Sequence, residues 1–280
     1  MAAVQTAAFY KSFKGGARMA RFCTFFSGST GNSTYIGTAK GGILVDAGAS
    51  GKAILTAADK QGIEAEKISA ICVTHEHIDH IKGLCPLLKK LKVPLIASSD
   101  TIKALVEKGK LPAGAEVIEI GDNSVEIADI VINRFAISHD CVGASGYTFN
   151  MPDNRKIAVC TDTGVVTDAI RQSLMGSDLC LIESNHDLKM LKNGPYPPEL
   201  KIRIMSDYGH LSNNACAAEL VGLLEGGTTR FVLGHLSQHN NLPALALSSA
   251  KNAFADIAAK ENEDYILTVA SASGGKMMVL

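Results

Sequence analysis

Between Thr74 and His80 the chain reads Thr-His-Glu-His-Ile-Asp-His, which puts three imidazoles and two carboxylates within six residues. Imidazole nitrogen and carboxylate oxygen are the donors that Zn²⁺ and its first-row neighbours take, and several of them on one short turn can face a common centre. A solvated polar loop is the plainer explanation. Histidine is scarce, however: the chain has eight, and three of them fall in this stretch. Density and spacing point to metal binding, and specifically to a two-metal site.

Such a turn needs rigid elements beneath it. The apolar run Ile68 to Val73 directly before it reads as a buried strand, and a helix can begin at Ile81-Lys82-Gly83 directly after it. Upstream, Arg21 to Phe26, Thr34 to Gly37 and Ile43 to Asp46 are β-rich runs separated by glycine turns, the pattern of a meander. Ser50 to Gln61 spaces small and apolar residues as a helix does. Downstream, Leu84 to Leu91 fits a helix, Val93 to Ala97 a strand, and Ser98 or Ser99 can cap a helix running to about Lys108. Glu116 to Phe135 holds three strand-like pieces, and Tyr147 to Asn150, Lys156 to Cys160 and Leu179 to Glu183 are further strands. Thr167 to Met175 reads as a short helix and Ser184 to Glu199 as a long loop. Ser212 caps a helix from Asn213 to Leu224, Arg230 to Leu233 is a strand, and Pro243 to about Lys260 is the last helix. Tyr265 to Val269 and Lys276 to Val279 close the chain as strands.

Candidate ligands recur at strand ends: the His75 to His80 turn, then His139, Asp162 and His235. In α/β architectures sites collect outside the carboxyl ends of strands, so residues distant in sequence converge there. Singly, each has an ordinary explanation as a satisfied histidine or a turn-capping aspartate. Their common position favours one shared site.

Composition sets the outer bounds. A chain of 280 residues can bury a full core as one large α/β domain or two smaller ones, and the lack of a low-complexity linker favours one. With 46% hydrophobic and 20% charged residues it has the make-up of a folded globular protein. A net charge of −1 supplies no global attraction to nucleic acid, so such a substrate needs a local basic surface. Seven cysteines, scattered singly with no C-x-x-C pair, predict reduced core thiols in a cytoplasmic protein. No apolar stretch approaches the length of a membrane span. Residues 1–18 contain Lys11, Lys14 and Arg18 but no acid and no signal-peptide core; they read as a disordered extension before a single domain of residues 19–280.

His75, His77, Asp79 and His80 match the pattern H-x-H-x-D-H, and Asp46 in Val45-Asp46-Ala47-Gly48, His139, Asp162 in Thr161-Asp162-Thr163-Gly164 and His235 accompany it in order. In these residues the chain resembles the metallo-β-lactamase fold superfamily. The strings Ser27 to Ser33, Glu183 to Asp187, Gly209 to Asn213 and His235 to Asn241 look like its YycJ (WalJ)-like branch of bacterial exonucleases, and the resemblance runs from about Met19 to Leu280. It implies an α/β (α+β) fold, a four-layer αββα sandwich, with two divalent metal ions, Zn²⁺ or Mn²⁺, between the sheet edges. It assigns His75, His77 and His139 to one metal, Asp79, His80 and His235 to the other, and Asp162 to both, with Asp46 steadying the histidine turn from a neighbouring strand. Two such cations with a hydroxide between them favour in-line displacement at phosphorus, and Asp79 would orient the hydroxide. A bridging Asp162 resembles the superfamily's phosphodiesterases and thioester hydrolases more than its β-lactam-hydrolysing members.

The resemblance therefore implies a 5′→3′ DNA exonuclease. His210 is a candidate proton or hydrogen-bond donor to a phosphate or the leaving 3′-oxygen, although a histidine bonded to the adjacent helix start explains it equally. His186, on the long loop, is a candidate for contacting the substrate phosphate, and His239 is expected to be structural or exposed. Ser27-Gly28-Ser29-Thr30-Gly31 can present N–H groups to phosphate, though a glycine-rich hairpin turn is the commoner role. Lys82, Lys89, Lys90, Lys92, Lys189, Lys192, Lys201 and Arg203 outline a DNA track, and solvated helix faces account for the lysines as well. Glu76 and Ile78 read as spacers. A thioesterase of the glyoxalase II type on the same centre is the alternative enzyme, and a metal-binding module without turnover the non-catalytic one.

Overall fold

Fourteen strands and nine α-helices order the residues described by the computed structural model, 18–280. The extension expected over residues 1–18 lies, Arg18 apart, outside those described. The elements are β1 (Arg21–Phe26), β2 (Ser33–Gly37), β3 (Gly42–Val45), α1 (Gly51–Lys60), β4 (Ile68–Cys72), α2 (Ile78–Ile81), α3 (Leu84–Leu91), β5 (Leu95–Ala97), α4 (Ser99–Glu107) and β6 (Val117–Glu119). They continue as β7 (Val125–Ile127), β8 (Ile130–Ala136), β9 (Ser145–Asn150), β10 (Lys156–Cys160), α5 (Asp168–Leu174), β11 (Leu179–Glu183), α6 (Leu188–Asn193) and α7 (Pro198–Met205). The last are α8 (Asn213–Glu225), β12 (Arg230–Gly234), α9 (Pro243–Asp256), β13 (Ile266–Val269) and β14 (Met278–Val279).

The strands form two mixed sheets, one in the order β14-β1-β2-β3-β4-β5-β6 and one in the order β13-β12-β11-β10-β9-β8-β7. Each opens as an antiparallel meander and is parallel from its middle strand out to one edge: β3 to β6 in the first sheet, β10 to β13 in the second. Parallel strands require crossovers, which carry the helices to the outer faces, and strands covered on both faces read as continuous apolar runs.

Alternation along β4 shows the layering. Ala70 and Cys72 join the core between the sheets, where Phe22, Ile36 and Val45 meet Tyr147, Phe149 and Val159. Ile71 and Val73 face the other way, onto Ile54, Leu84, Leu87 and Leu105 of the helices. A third core packs β10 to β12 against Leu174, Leu220, Leu223 and Phe254. The result is four layers, helix, sheet, sheet, helix, as expected. Each large apolar side chain withdrawn from water this way contributes about 1.5–3 kcal/mol, so the two sheets are a stiff base for whatever their ends carry.

Two ties fix the sheets to each other beneath the histidine turn. The buried Tyr147 hydroxyl donates to the Val73 carbonyl at 2.7 Å, and the Ser145 N–H donates to the Thr74 carbonyl at 3.0 Å. A buried hydroxyl without a partner costs free energy, so the Tyr147 bond holds the sheet spacing as well as the ring.

The elements depart from the sequence reading in three places. A helix starts inside the ligand motif, with His77 as its N-cap and Asp79 and His80 on its single turn, rather than at Ile81. Residues 184–199 are not one long loop: Asp187 accepts from the Lys189 and Met190 N–H groups and starts α6, and Pro198 begins α7. Only Leu191 of α6 is buried and no residue of α7 is, so neither shows the apolar periodicity that marks a helix in sequence. The last helix stops at Asp256, and Ala258 just beyond it turns left-handed at φ 58°.

Candidate metal centre

The site gathers at the carboxyl ends of strands from both sheets. β4 is followed by Val73, Thr74 and His75, β10 by Thr161 and Asp162, β12 by His235, and His139 lies three residues past β8. Three of the residues that turn in here have left-handed backbones: Asp46 at φ 64°, Asp162 at φ 61° and His235 at φ 53°. This region costs most L-residues about 1–2 kcal/mol, and aspartate and histidine enter it more readily than branched residues. The strand alternation is thereby broken just past the ends of β3, β10 and β12.

The motif turn is clamped from below by main-chain bonds. Asn32 N–H donates to the Asp79 carbonyl at 2.8 Å, Ala47 N–H to the His80 carbonyl at 2.7 Å, and Gly83 N–H to the Ala47 carbonyl at 2.7 Å. Gly48 lies so close to the Asp79 carbonyl that a Cβ there would overlap it. Asp46 accepts from the Thr74 N–H at 2.8 Å and from the Thr74 hydroxyl, and its Oδ2 is 2.7 Å from His80 Nδ1.

Two groups of donors result. His75, His77 and His139 form one, with His139 Nε2 3.3 Å from His77 Nδ1. Asp79, His80 and His235 form the other, Asp79 Oδ2 lying 3.6 Å from His80 Nε2 and 3.6 Å from His235 Nε2. Asp162 stands between them: its Oδ2 is 3.3 Å from His80 Nε2, and it groups with both His75 and His80.

The donor chemistry fits divalent metal. Imidazole and carboxylate are borderline-to-hard donors suited to first-row cations. His75 Nε2, Asp162 Oδ2 and His235 Nε2 are buried and have no hydrogen-bond partner within the protein. Each buried polar atom left unpaired costs about 1–3 kcal/mol, and divalent cations held by the two groups would give these atoms partners. The opposite ring nitrogens are already engaged: His75 Nδ1 is 3.0 Å from the Thr74 hydroxyl, His80 Nδ1 is bonded to Asp46, and His235 Nδ1 lies 2.7 Å from Glu183 Oε1. Outer partners of this kind select the tautomer and orient a metal-binding imidazole.

Glu183 was singled out in sequence only as part of a longer string, yet it organises this half of the site. It is wholly buried at the end of β11 and accepts from Thr163 N–H at 3.0 Å and Leu211 N–H at 3.1 Å, while His210 Nδ1 lies 2.8 Å from it. The signal that could have found it is a charged residue closing an otherwise apolar strand, Leu179-Cys180-Leu181-Ile182.

Electrostatics divide the two groups. Burial first, and neighbouring imidazoles second, hold the His75 pKa well below its usual value, leaving a neutral donor. Burial also disfavours a charge on His80, but Asp162 and Asp46 outweigh it and raise its pKa to about 9. At His235 burial is likewise outweighed, by Asp162, Asp79 and Glu183, and the pKa moves well above the ordinary imidazole value. His210 is raised as well, burial being offset mainly by Glu183, and Glu183 is held low by His210 and His235 against its own burial.

A cavity of about 250 Å³ opens over these residues, reached by His77, Asp79, His139, Asp162, His210 and His235. His186 does not line it. That residue is 1% exposed, its carbonyl accepting from the Asn213 N–H, so the substrate contact considered for it does not fit its position. His239 is exposed, its ring edge-on to Tyr196. Of the eight residues of the basic track only Arg203 lines the cavity. In the glycine-rich segment Gly28 N–H and Gly31 N–H bond within the turn, Ser27 accepts from His235 N–H, and Ser29 alone reaches the cavity.

The chain belongs to the beta-lactamase superfamily, whose domain model matches residues 42–236. It is a hydrolase of the metallo-β-lactamase fold, with histidine and aspartate clusters suited to divalent metal. It is 40% identical to exodeoxyribonuclease YycJ of Bacillus anthracis over 230 residues, 81% of this chain and 86% of that one. It is 38% identical to exodeoxyribonuclease WalJ of Streptococcus pneumoniae serotype 2 over 239 residues, 84% of this chain and 88% of that one. Among solved structures, the metallo-β-lactamase fold protein YhfI of Bacillus subtilis superposes with a TM-score of 0.71 at 16% identity, covering 93% of this chain and 99% of YhfI, a likeness of fold alone.

Proposed function

We propose that the chain hydrolyses the phosphodiester bonds of DNA, removing nucleotides in the 5′→3′ direction. The observation that carries this reading is the position of Asp162, whose buried, unpaired Oδ2 faces donors of both groups at once. On this reading His75, His77 and His139 would hold one divalent cation and Asp79, His80 and His235 a second, with Asp162 placed to serve either group; Zn²⁺ and Mn²⁺ each suit the donor set. Bound there, the cations supply Lewis acidity toward phosphate oxygens and bring the pKa of water toward neutrality.

The chain's own side chains do the rest. Asp79, part-exposed at the cavity, accepts a hydrogen bond from the attacking water and orients it. His210 bonds Glu183 through Nδ1, which leaves Nε2 as the ring nitrogen free to give a proton to the leaving 3′-oxygen. Glu183 keeps that proton available by favouring the charged ring. Asp46 and Glu183 hold His80 and His235 in register. Because the donors come from both sheets, residues 19–280 act as one domain in this proposal.

Thioester hydrolysis of the glyoxalase II type would use the same donors. DNA is favoured by the two relatives named as exodeoxyribonucleases, which this chain matches over 86% and 88% of their lengths. A cytoplasmic setting is supported by seven free cysteines, five of them buried. Among the described residues no helix is long and apolar enough to cross a membrane. The deciding experiment offers purified protein, supplied in turn with Mn²⁺ and Zn²⁺, end-labelled single- and double-stranded DNA beside a thioester panel. Stepwise release of nucleotides from the 5′ end is expected; thioester turnover with intact DNA would overturn the reading.

A further inference from the structure

One wall of the cavity is built differently from the rest. α7 buries none of its eight residues, yet Leu200, Arg203 and Ile204 all reach the cavity, joined by Tyr196 from the turn before the helix. Positions i, i+3 and i+4 share one face of a helix. The helix therefore turns its apolar stripe toward the site and not toward the core.

Among the described residues, Arg203 is the one that lines the cavity with a fixed positive charge. Its Nε is bonded to the Asp140 carboxylate, and Asp140 Oδ1 lies 3.4 Å from His139 Nε2. This pairing ties the guanidinium to the edge of the histidine cluster and leaves its two terminal nitrogens, with four N–H donors, for another acceptor. A planar, pre-oriented fork of N–H groups matches the oxygens of a phosphate. Tyr196 adds an aromatic surface, steadied by the His239 ring in a T-shaped pair at 5.9 Å between centroids, and nucleobases stack on such surfaces whatever their sequence.

We infer that the α7 wall is a nucleotide platform, on which Arg203 grips the phosphate adjoining the scissile one while Tyr196, Leu200 and Ile204 receive the base and sugar. The inference rests on the phosphodiesterase reading above and adds to it the part of the substrate that sets affinity and register. Asp140 is the positioning residue: it aims Arg203 and touches no substrate.

The test compares the full-length, Mn²⁺-loaded protein with its Arg203→Ala and Arg203→Lys variants on two substrates. An oligonucleotide has a neighbouring phosphate; bis(p-nitrophenyl) phosphate has only the scissile one. Arg203→Ala is expected to lower kcat/KM for the oligonucleotide about tenfold relative to that for bis(p-nitrophenyl) phosphate, chiefly through KM, the effect of losing one charge-assisted contact. Arg203→Lys should recover part of the loss. A parallel fall on both substrates, or no fall, overturns the inference. Oligonucleotides with a 5′-phosphate and with a 5′-hydroxyl separate the two sources of the group: a loss confined to the first places a terminal monoester at Arg203, a loss on both an internal diester. Binding gives a readout independent of turnover. Thymidine 3′,5′-bisphosphate should bind wild type more tightly than thymidine 5′-monophosphate does, with the gap closing in Arg203→Ala, and equal affinities in wild type overturn the inference even where DNA is cleaved. Should DNA resist cleavage while that gap opens and closes as expected, the exonuclease reading fails and the phosphate site stands.

Discussion

Glu183 stands to His235 as Asp46 stands to His80: in each pair a buried carboxylate oxygen lies 2.7 Å from Nδ1 and turns Nε2 toward the site. One pair belongs to each sheet, so the two halves of the sandwich present their ligands by the same device. Removing the charge at Glu183 should loosen both His235 and His210. Glu183→Gln is expected to weaken metal binding about 10- to 100-fold, the usual cost of losing such an outer partner. Competition with a chromophoric chelator measures it, and an affinity equal to wild type in a normally folded variant would count against the role.

Asp46→Asn tests the same device on the first sheet. The amide keeps the size of the carboxylate but can present an N–H to His80 Nδ1, favouring the wrong tautomer. Metal affinity and nuclease activity should fall together, by about 10- to 100-fold, with little change in far-UV circular dichroism. A variant that loses activity while binding metal normally would assign Asp46 a different task.

Asp162→Ala removes the one carboxylate that faces both donor groups. Losing several kcal/mol of transition-state stabilisation corresponds to about a thousandfold or more in rate. Hydrolysis of DNA should become undetectable, and bound metal per chain should drop when measured by elemental analysis. Full activity in this variant would sink the two-metal reading.

The pH behaviour of chelator-treated protein follows from His80. Its pKa in the folded chain is about 9, against 6.5 for an ordinary imidazole, so the folded state holds the proton more tightly than the unfolded one. The stability this contributes is fully present below about pH 6.5 and is lost as pH rises through about 9. His235 shifts in the same sense. Tm should therefore fall between pH 7 and pH 9.5. Metal must displace these protons, so its binding near neutrality should release protons and tighten by about tenfold per pH unit for each proton displaced. A flat Tm profile together with no proton release on adding Mn²⁺ would contradict the assignment.

Gly48→Ala probes the clamp under the motif. A methyl at Gly48 would overlap the Asp79 carbonyl, which is main chain and cannot swing aside. Overpacking of this kind typically costs about 1–3 kcal/mol, a loss of several degrees in Tm, and the displaced turn should weaken metal binding too. Wild-type melting and metal affinity would show that the turn is softer than its contacts indicate.

Much of the site is legible in the sequence. The Thr74 to His80 stretch announces itself because ligand chemistry and strand periodicity are both local, and Ile68–Cys72 does end where the donors begin. The helices α6 and α7 stayed hidden because their side chains bury so little that no apolar rhythm marks them. Glu183 stayed hidden because an acid at a strand end looks like any turn residue until its neighbours are known. Lysines in sequence fit a DNA track and a solvated surface equally, and only packing shows that Arg203, alone of that track, turns to the cavity.

What the sequence determined alone was the inventory: which donors exist and that they sit at the carboxyl ends of strands, the four-layer sandwich being implied by the family resemblance. Tertiary structure decided the rest. His80 meets its carboxylate 34 positions away and His235 meets its own 52 positions away, and left-handed turns at Asp46, Asp162 and His235 choose the directions. A local pattern constrains only residues a few positions apart, whereas which ring nitrogen faces the centre, and whether Arg203 or a lysine lines the cavity, depends on how the two sheets close on each other.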